Sequence, residues 1–190
     1  MRTEREFLVD VLGRLHQAAV DYMLTGSMAS NYWGIPRTTH DLDFVLATGP
    51  DQVDRLVAAF DEGLFLQGES VRSAFRPPFQ FNVLDERSAL KADFWILRGD
   101  PFEQAAFARR RQVDVFGNRA WIATPEDILL HKLYWHCLTP SDRQLHDAAG
   151  VYAVQGDALD TAHLHHWAAI LGVERELDDV LTGKVTPKST

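Results

Sequence analysis

The chain has 190 residues, of which 46% are hydrophobic and 24% charged, enough for one domain with its own core or one plus a small appendage at about 150 residues per domain. That composition excludes the disordered, collagen-like and low-complexity classes. With 27 acidic against 19 basic residues the net charge is -8 and the pI about 5.4, which argues against a surface built to coat nucleic acid but leaves room for a local phosphate site. Cys137, the single cysteine, can form neither an intramolecular disulfide nor a thiolate metal cluster, so a reducing compartment fits. The acid-bearing start lacks the basic and apolar pattern of a secretion signal, and no run approaches the ~18 apolar residues of a membrane span. A cytoplasmic location without membrane contact is the expectation.

In chain order, Phe7, Leu8, Val11, Leu12, Leu15, Ala18 and Ala19 predict an amphipathic helix over 5–21. A short strand at 22–25 breaks at Gly26-Ser27, and 28–33 reads as a short helix with Ser27 as its cap. After a turn at Gly34-Ile35-Pro36, the run HDLDFVLA at 40–47 reads as a strand and 50–62 as a helix stopped by Gly63. Apolar runs at 79–84 and 89–97 flank the polar residues 85–88, a hairpin pattern, and 101–111 reads as a helix. Strands at 112–116 and 119–123 surround Gly117-Asn118, another hairpin signal.

Thr124-Pro125-Glu126-Asp127 then carries a cap, a proline at the first helical position and acids in the first turn, opening a helix to 138. Two more helices follow at 141–154 and 161–171, with Gly172 as the stop. The expected fold class is α/β (α+β): a small mixed β-sheet flanked by helices in 1–123, a helical part in 124–183, and a disordered Thr/Lys/Pro-rich tail in 184–190.

The chemistry concentrates in a few positions. Residues i and i+2 of a strand share a face, so Asp41 and Asp43 project side by side. Two carboxylates so close repel unless a cation lies between them, and hard oxygen donors favour Mg²⁺ or Mn²⁺. Asp93 interrupts an otherwise apolar strand, where a buried acid is costly without a partner, and a metal would be that partner. Asp85 is the rival third acid, but it falls in a predicted turn, where an acid is expected anyway. Upstream, Gly26 and Ser27 offer backbone N–H groups, a hydroxyl and a helix start to phosphate, and Arg37 could add a guanidinium.

The run LTGSMASNYWGIPRTTHDLDFVL, followed by KADFWIL, resembles the polymerase-beta-type nucleotidyltransferase superfamily, in which a Gly-Gly or Gly-Ser motif opens a helix, D-x-D lies on the next strand and a third Asp on a later one. The wording R-T-T-H-D-L-D and the downstream T-P-E-D-I-L-L-H-K-L look most like minimal nucleotidyltransferases of the AbiEii toxin type, over residues 22–152. The resemblance implies a nucleotidyltransferase-like fold and transfer of an NMP from a Mg²⁺- or Mn²⁺-bound NTP to an acceptor hydroxyl of RNA or protein, releasing pyrophosphate. It assigns Asp41, Asp43 and Asp93 to the metals and catalysis, with Asp93 also helping to deprotonate the acceptor, and Gly26, Ser27, Arg37 and Lys132 to the nucleotide. An antitoxin partner goes with that type. Two departures stand out: Ser27 replaces the second glycine usual in the AbiEii type, and Arg143-Gln144-Leu145-His146-Asp147 stands where many relatives carry R-x-K-D.

Two other functions share these motifs: an antibiotic nucleotidyltransferase of the aminoglycoside or lincosamide type, whose cationic acceptor an acidic protein suits, and a non-catalytic nucleotide-binding protein. Arg109-Arg110-Arg111 ends a predicted helix, where cations complement the helix dipole, and otherwise offers an RNA contact. In the run His163-Leu164-His165-His166, only His163 and His166 share a helix side, which argues against a metal site there.

Overall fold

In the computed structural model, which describes residues 2–60 and 62–188, Thr3 opens helix α1 (Glu4–Gln17) through a reciprocal capping box with Glu6. The chain divides into two compact units, Met1–Thr25 with Thr39–Ile122 and Gly26–Thr38 with Ala123–Thr190.

The first unit carries a seven-stranded mixed sheet of β1 (Asp21–Thr25), β2 (Asp41–Ala47), β3 (Leu64–Phe65), β4 (Gln80–Asp85), β5 (Lys91–Ile96), β6 (Arg111–Val115) and β7 (Asn118–Ile122), in the order β3-β4-β5-β2-β1-β7-β6. The pairs β2·β5 and β1·β7 are parallel and the others antiparallel, the mixed α/β class expected from sequence. Because register partners share a face, Leu24, Phe44, Phe94 and Phe81 form one apolar row. Phe94 is fully buried, stacked between Phe44 at 5.4 Å and Phe81 at 5.1 Å, with Phe60 meeting it edge-on at 5.6 Å. Helix α1 buries Phe7, Leu8, Val11, Leu12 and Leu15, and His16 hydrogen-bonds the Tyr22 hydroxyl at 3.0 Å, tying α1 to β1.

Details depart from the sequence expectation. The predicted helix over 50–62 is a 3-10 turn at Pro50–Gln52 followed by helix α3 (Val53–Ala59), and its residue Asp61 lies outside the described residues. The second hairpin turns at Phe116-Gly117, one residue earlier than predicted, with both residues at positive φ (54° and 82°). Strand β3 and helix α4 (Gly68–Ser73) were not expected, whereas α5 (Pro101–Arg109), capped by Asp100, was.

The second unit is helical: α2 (Gly26–Trp33), α6 (Pro125–Leu138), α7 (Asp142–Gln155), α8 (Thr161–Leu171) and α9 (Glu174–Leu181), the last unexpected. Gly34 lets α2 and α7 meet closely: a Cβ there would sit 2.7 Å from the Val151 backbone nitrogen. The Trp33 indole N–H donates to the Ala123 carbonyl at 2.7 Å, and the Gln155 amide donates to the Trp33 carbonyl at 2.7 Å. In the tail, Lys184 pairs with Asp179 at 2.7 Å and the Val185 N–H donates to the Asp179 carbonyl, while Ser189 and Thr190 lie outside the described residues. Among the described residues no helix is long and apolar enough to cross a membrane.

Replacing Phe94 with Ala removes the ring shared by three aromatic neighbours, so chemical denaturation should give a loss of about 3–5 kcal/mol; a loss below about 1 kcal/mol would mean that this row does not anchor the sheet.

Candidate functional site

The alternation that buries Leu42, Phe44 and Leu46 of β2 turns Asp41 and Asp43 to the opposite face of the sheet. Parallel pairing with β5 sets Asp43 beside Asp93 and Asp41 beside Lys91. Thr25 on β1 and Asn82 on β4 extend the Asp43–Asp93 row on either side. Asp41 is exposed, Asp43 half-buried and Asp93 buried at 8% exposure, so the three acids pass from solvent to interior within one patch.

Asp93 does have a protein partner, and that partner is a lysine. Lys91 Nζ donates to Asp93 Oδ2 at 2.8 Å and lies 3.8 Å from Asp41 Oδ1. The hydrogen bond to Asp93 raises the Lys91 ammonium pKa above its ordinary value; burial opposes this, and the charges of Asp93, Asp41 and Asp43 add to it. The burial cost of Asp93, expected from sequence to need a metal, is thus met in part by Lys91. The remaining oxygen, Asp93 Oδ1, is buried without a hydrogen-bond partner. Among the described residues no three His, Cys, Asp or Glu side chains converge into a metal-holding group. The donor chemistry nevertheless fits a hard cation: Asp43 and Asp93 lie on adjacent strands in register, with one carboxylate oxygen unsatisfied.

The other predicted residues lie in the second unit. Gly26 adopts φ +60°, a left-handed conformation that a glycine takes without steric cost, and so starts α2 directly after β1 ends at Thr25. Ser27 Oγ accepts from Arg37 Nη2 at 2.8 Å. Arg37 grips Asp147 with two parallel hydrogen bonds, from Nε at 2.7 Å and Nη2 at 2.8 Å, and Lys132 Nζ donates to the same carboxylate at 2.9 Å. Asn31 fixes the loop, its amide donating to the Arg37 carbonyl and its carbonyl accepting from the Arg37 N–H. The structure therefore brings Ser27, Arg37 and Lys132 together around Asp147. Burial works to raise the Asp147 carboxyl, but the hydrogen bonds and charges of Arg37 and Lys132 outweigh it and hold the group below the usual carboxylate range. Through Arg37 the cluster also holds Ser27 at the start of α2.

Residues weighed as alternatives have structural tasks. Asp85 accepts from Arg2 at 2.8 Å and from the Ser88 hydroxyl, so it closes an ion pair. His163 Nε2 lies 2.7 Å from Asp127 Oδ1, and Thr124 donates to Asp127 Oδ2 at 2.7 Å, joining α8 to α6. Arg110 folds back over the Phe107 and Trp121 rings, its centre 4.1 and 5.0 Å from their centroids. Two residues of the clusters drew no assignment from sequence. Lys91 was detectable as the i-2 neighbour of Asp93 on the same strand face, whereas the pairing of Asp147 with Arg37, 110 positions away, carries no local signal.

Asp147→Asn should leave Arg37 and Lys132 without their carboxylate and cost about 3–5 kcal/mol at neutral pH, as breaking a buried pair does. A carboxyl held low in the folded state contributes stability above its unfolded pKa of about 3.9 and loses it as pH falls. Denaturation midpoints measured between about pH 6 and 3 should therefore fall more steeply for the wild type than for the variant; parallel curves would remove the pair from the account.

No family profile and no curated protein matches the sequence. Solved structures do match the fold. A crystal structure of ANT(2")-Ia in complex with adenylyl-2"-tobramycin aligns with a TM-score of 0.59 at 12% identity, covering 90% of this chain and 98% of that one. A solution structure of the same antibiotic-resistance factor aligns at 0.57 and 11% identity, covering 88% and 94%. An antigenic nucleotidyltransferase-like protein from Paracoccidioides brasiliensis aligns at 0.54 and 16% identity, covering 98% and 94%. At these identities the likeness is one of fold: the chain has the mixed α/β fold of nucleotidyltransferase-like proteins.

Proposed function

We propose that this chain is a metal-dependent nucleotidyltransferase that moves an NMP from an NTP to an acceptor hydroxyl. The in-register pairing of Asp43 with Asp93, two strand positions from the pair Asp41 and Lys91, carries this assignment. In this reading Asp41, Asp43 and Asp93 hold Mg²⁺ or Mn²⁺, which when bound offsets phosphate charge and polarises the reacting oxygens. Gly26 and Ser27 hold the triphosphate at the start of α2, and Arg37, kept beside Ser27 Oγ by Asp147 and Asn31, adds charge-assisted hydrogen bonds. Lys132, buried at 6% side-chain exposure, holds Asp147 and adds positive charge for the nucleotide. Asp93 takes the proton of the acceptor hydroxyl as its oxygen attacks the α-phosphorus; the new O–P bond forms, the bond to the bridging oxygen breaks, and pyrophosphate leaves.

For the acceptor, the AbiEii-like wording of the motifs favours a hydroxyl of RNA or protein, with an antitoxin as partner. A second reading, a small cationic antibiotic, is favoured by the net charge of -8 and by the fold shared with ANT(2")-Ia, an antibiotic-resistance factor solved in complex with adenylyl-2"-tobramycin. Expression in a sensitive host separates them: resistance supports the drug acceptor, and slowed growth supports the toxin-like one.

Purified protein given Mg²⁺ and NTP labelled at the α-phosphate should label its acceptor, and the double variant Asp41→Asn with Asp43→Asn should abolish labelling. A double variant that labels at the wild-type rate would exclude these carboxylates from the chemistry.

A further inference from the structure

We infer that Lys91 is an internal stand-in for the divalent cation: its ammonium holds the carboxylate patch together in the metal-free protein and must leave when a metal binds. This rests on the metal assignment above and deepens it. Lys91 and Asp93, two apart on β5, share a face, and the register with β2 sets Lys91 opposite Asp41. The ammonium thus contacts Asp93 at 2.8 Å and reaches toward Asp41 at 3.8 Å, bridging the two strands on the sheet face that carries the three acids.

Two observations make it a placeholder rather than a permanent structural pair. The Lys91 ammonium satisfies one Asp93 oxygen, while Oδ1 of the same carboxylate stays buried and unbonded. A divalent ion carries twice the charge of the ammonium and can take the second oxygen. The Lys91 side chain also keeps 39% exposure against 11% for Asp93, so the ammonium can swing to solvent on its four-carbon stem while the carboxylate stays in place. Both cations compete for the same oxygens, so the lysine weakens metal binding and keeps the patch neutralised until the metal arrives.

The test is a Mn²⁺ titration of the full chain followed by electron paramagnetic resonance. Lys91→Met and Lys91→Gln remove the competing charge and should each bind Mn²⁺ on the order of tenfold more tightly than the wild type. Lys91→Arg, which keeps the charge, should stay near the wild type. In circular dichroism melts without metal, the Met variant should unfold at a lower temperature than the wild type, and Mn²⁺ should raise its midpoint more than it raises that of the wild type. Asp43→Asn in the same titration separates the two levels of failure. If Asp43→Asn loses Mn²⁺ and the neutral Lys91 variants bind no tighter than the wild type, the stand-in role is overturned and the metal assignment holds. If none of the proteins binds Mn²⁺, both fall.

Discussion

The parallel pairing of β2 with β5, in a register that puts Asp43 beside Asp93, is the constraint on which the candidate site depends. That register is set from the other side of the sheet, where Leu42, Phe44 and Leu46 lie against Ala92, Phe94 and Ile96 and all are buried. A slip of one residue would turn the carboxylates into the aromatic core and the phenylalanines into water. Apolar packing and acidic chemistry are therefore two faces of one decision, and the aromatic row through Phe94 supplies the stabilisation that lets three acids be held close together. Lys91 follows from the same alternation: any side chain two positions before Asp93 must share its face, and an ammonium there relieves the repulsion.

The second unit handles charge differently. Arg37 and Lys132 surround one carboxylate whose side chain is 7% exposed, and the network is fixed by a two-bond arginine fork and by Asn31 clamping the Arg37 backbone. Such a network pins side chains more than it adds stability, because burying the three charges costs much of what their attraction returns. Its Arg37 guanidinium bonds Ser27 at the start of α2, and this set of polar and cationic groups suits an anion such as phosphate.

Much of this was legible in the sequence, because local periodicity fixes local structure. The alternation in HDLDFVLA gave β2 and placed Asp41 and Asp43 on one face, and the sequence Thr124-Pro125-Glu126-Asp127 located the start of α6, where Thr124 accepts from the Asp127 N–H. Less visible were short or strongly turned pieces: β3 has two residues, α4 six, and the break before α3 is a 3-10 turn that shares the composition of a helix start. The hairpin at Phe116-Gly117 was displaced because a bulky residue at positive φ is an unusual choice that tertiary pairing of β6 with β7 enforces. Long-range partners were invisible. Asp93 could be seen to need a cation, with Lys91 two positions away on the same face, but that the ammonium also reaches Asp41 requires the register, and the meeting of Arg37 and Lys132 at Asp147 requires the fold.

The central claim is that Asp43 and Asp93, with Asp41, form the cation site of a nucleotidyl-transfer centre. The most direct measurement is a crystal structure with Mn²⁺ and a non-hydrolysable NTP analogue, read at the manganese absorption edge. The account predicts an anomalous peak within coordination distance, about 2.0–2.3 Å, of oxygens from both Asp43 and Asp93, with Lys91 Nζ withdrawn from Asp93. A peak elsewhere, or a bound nucleotide with Lys91 still on Asp93 and no metal between the strands, would contradict it.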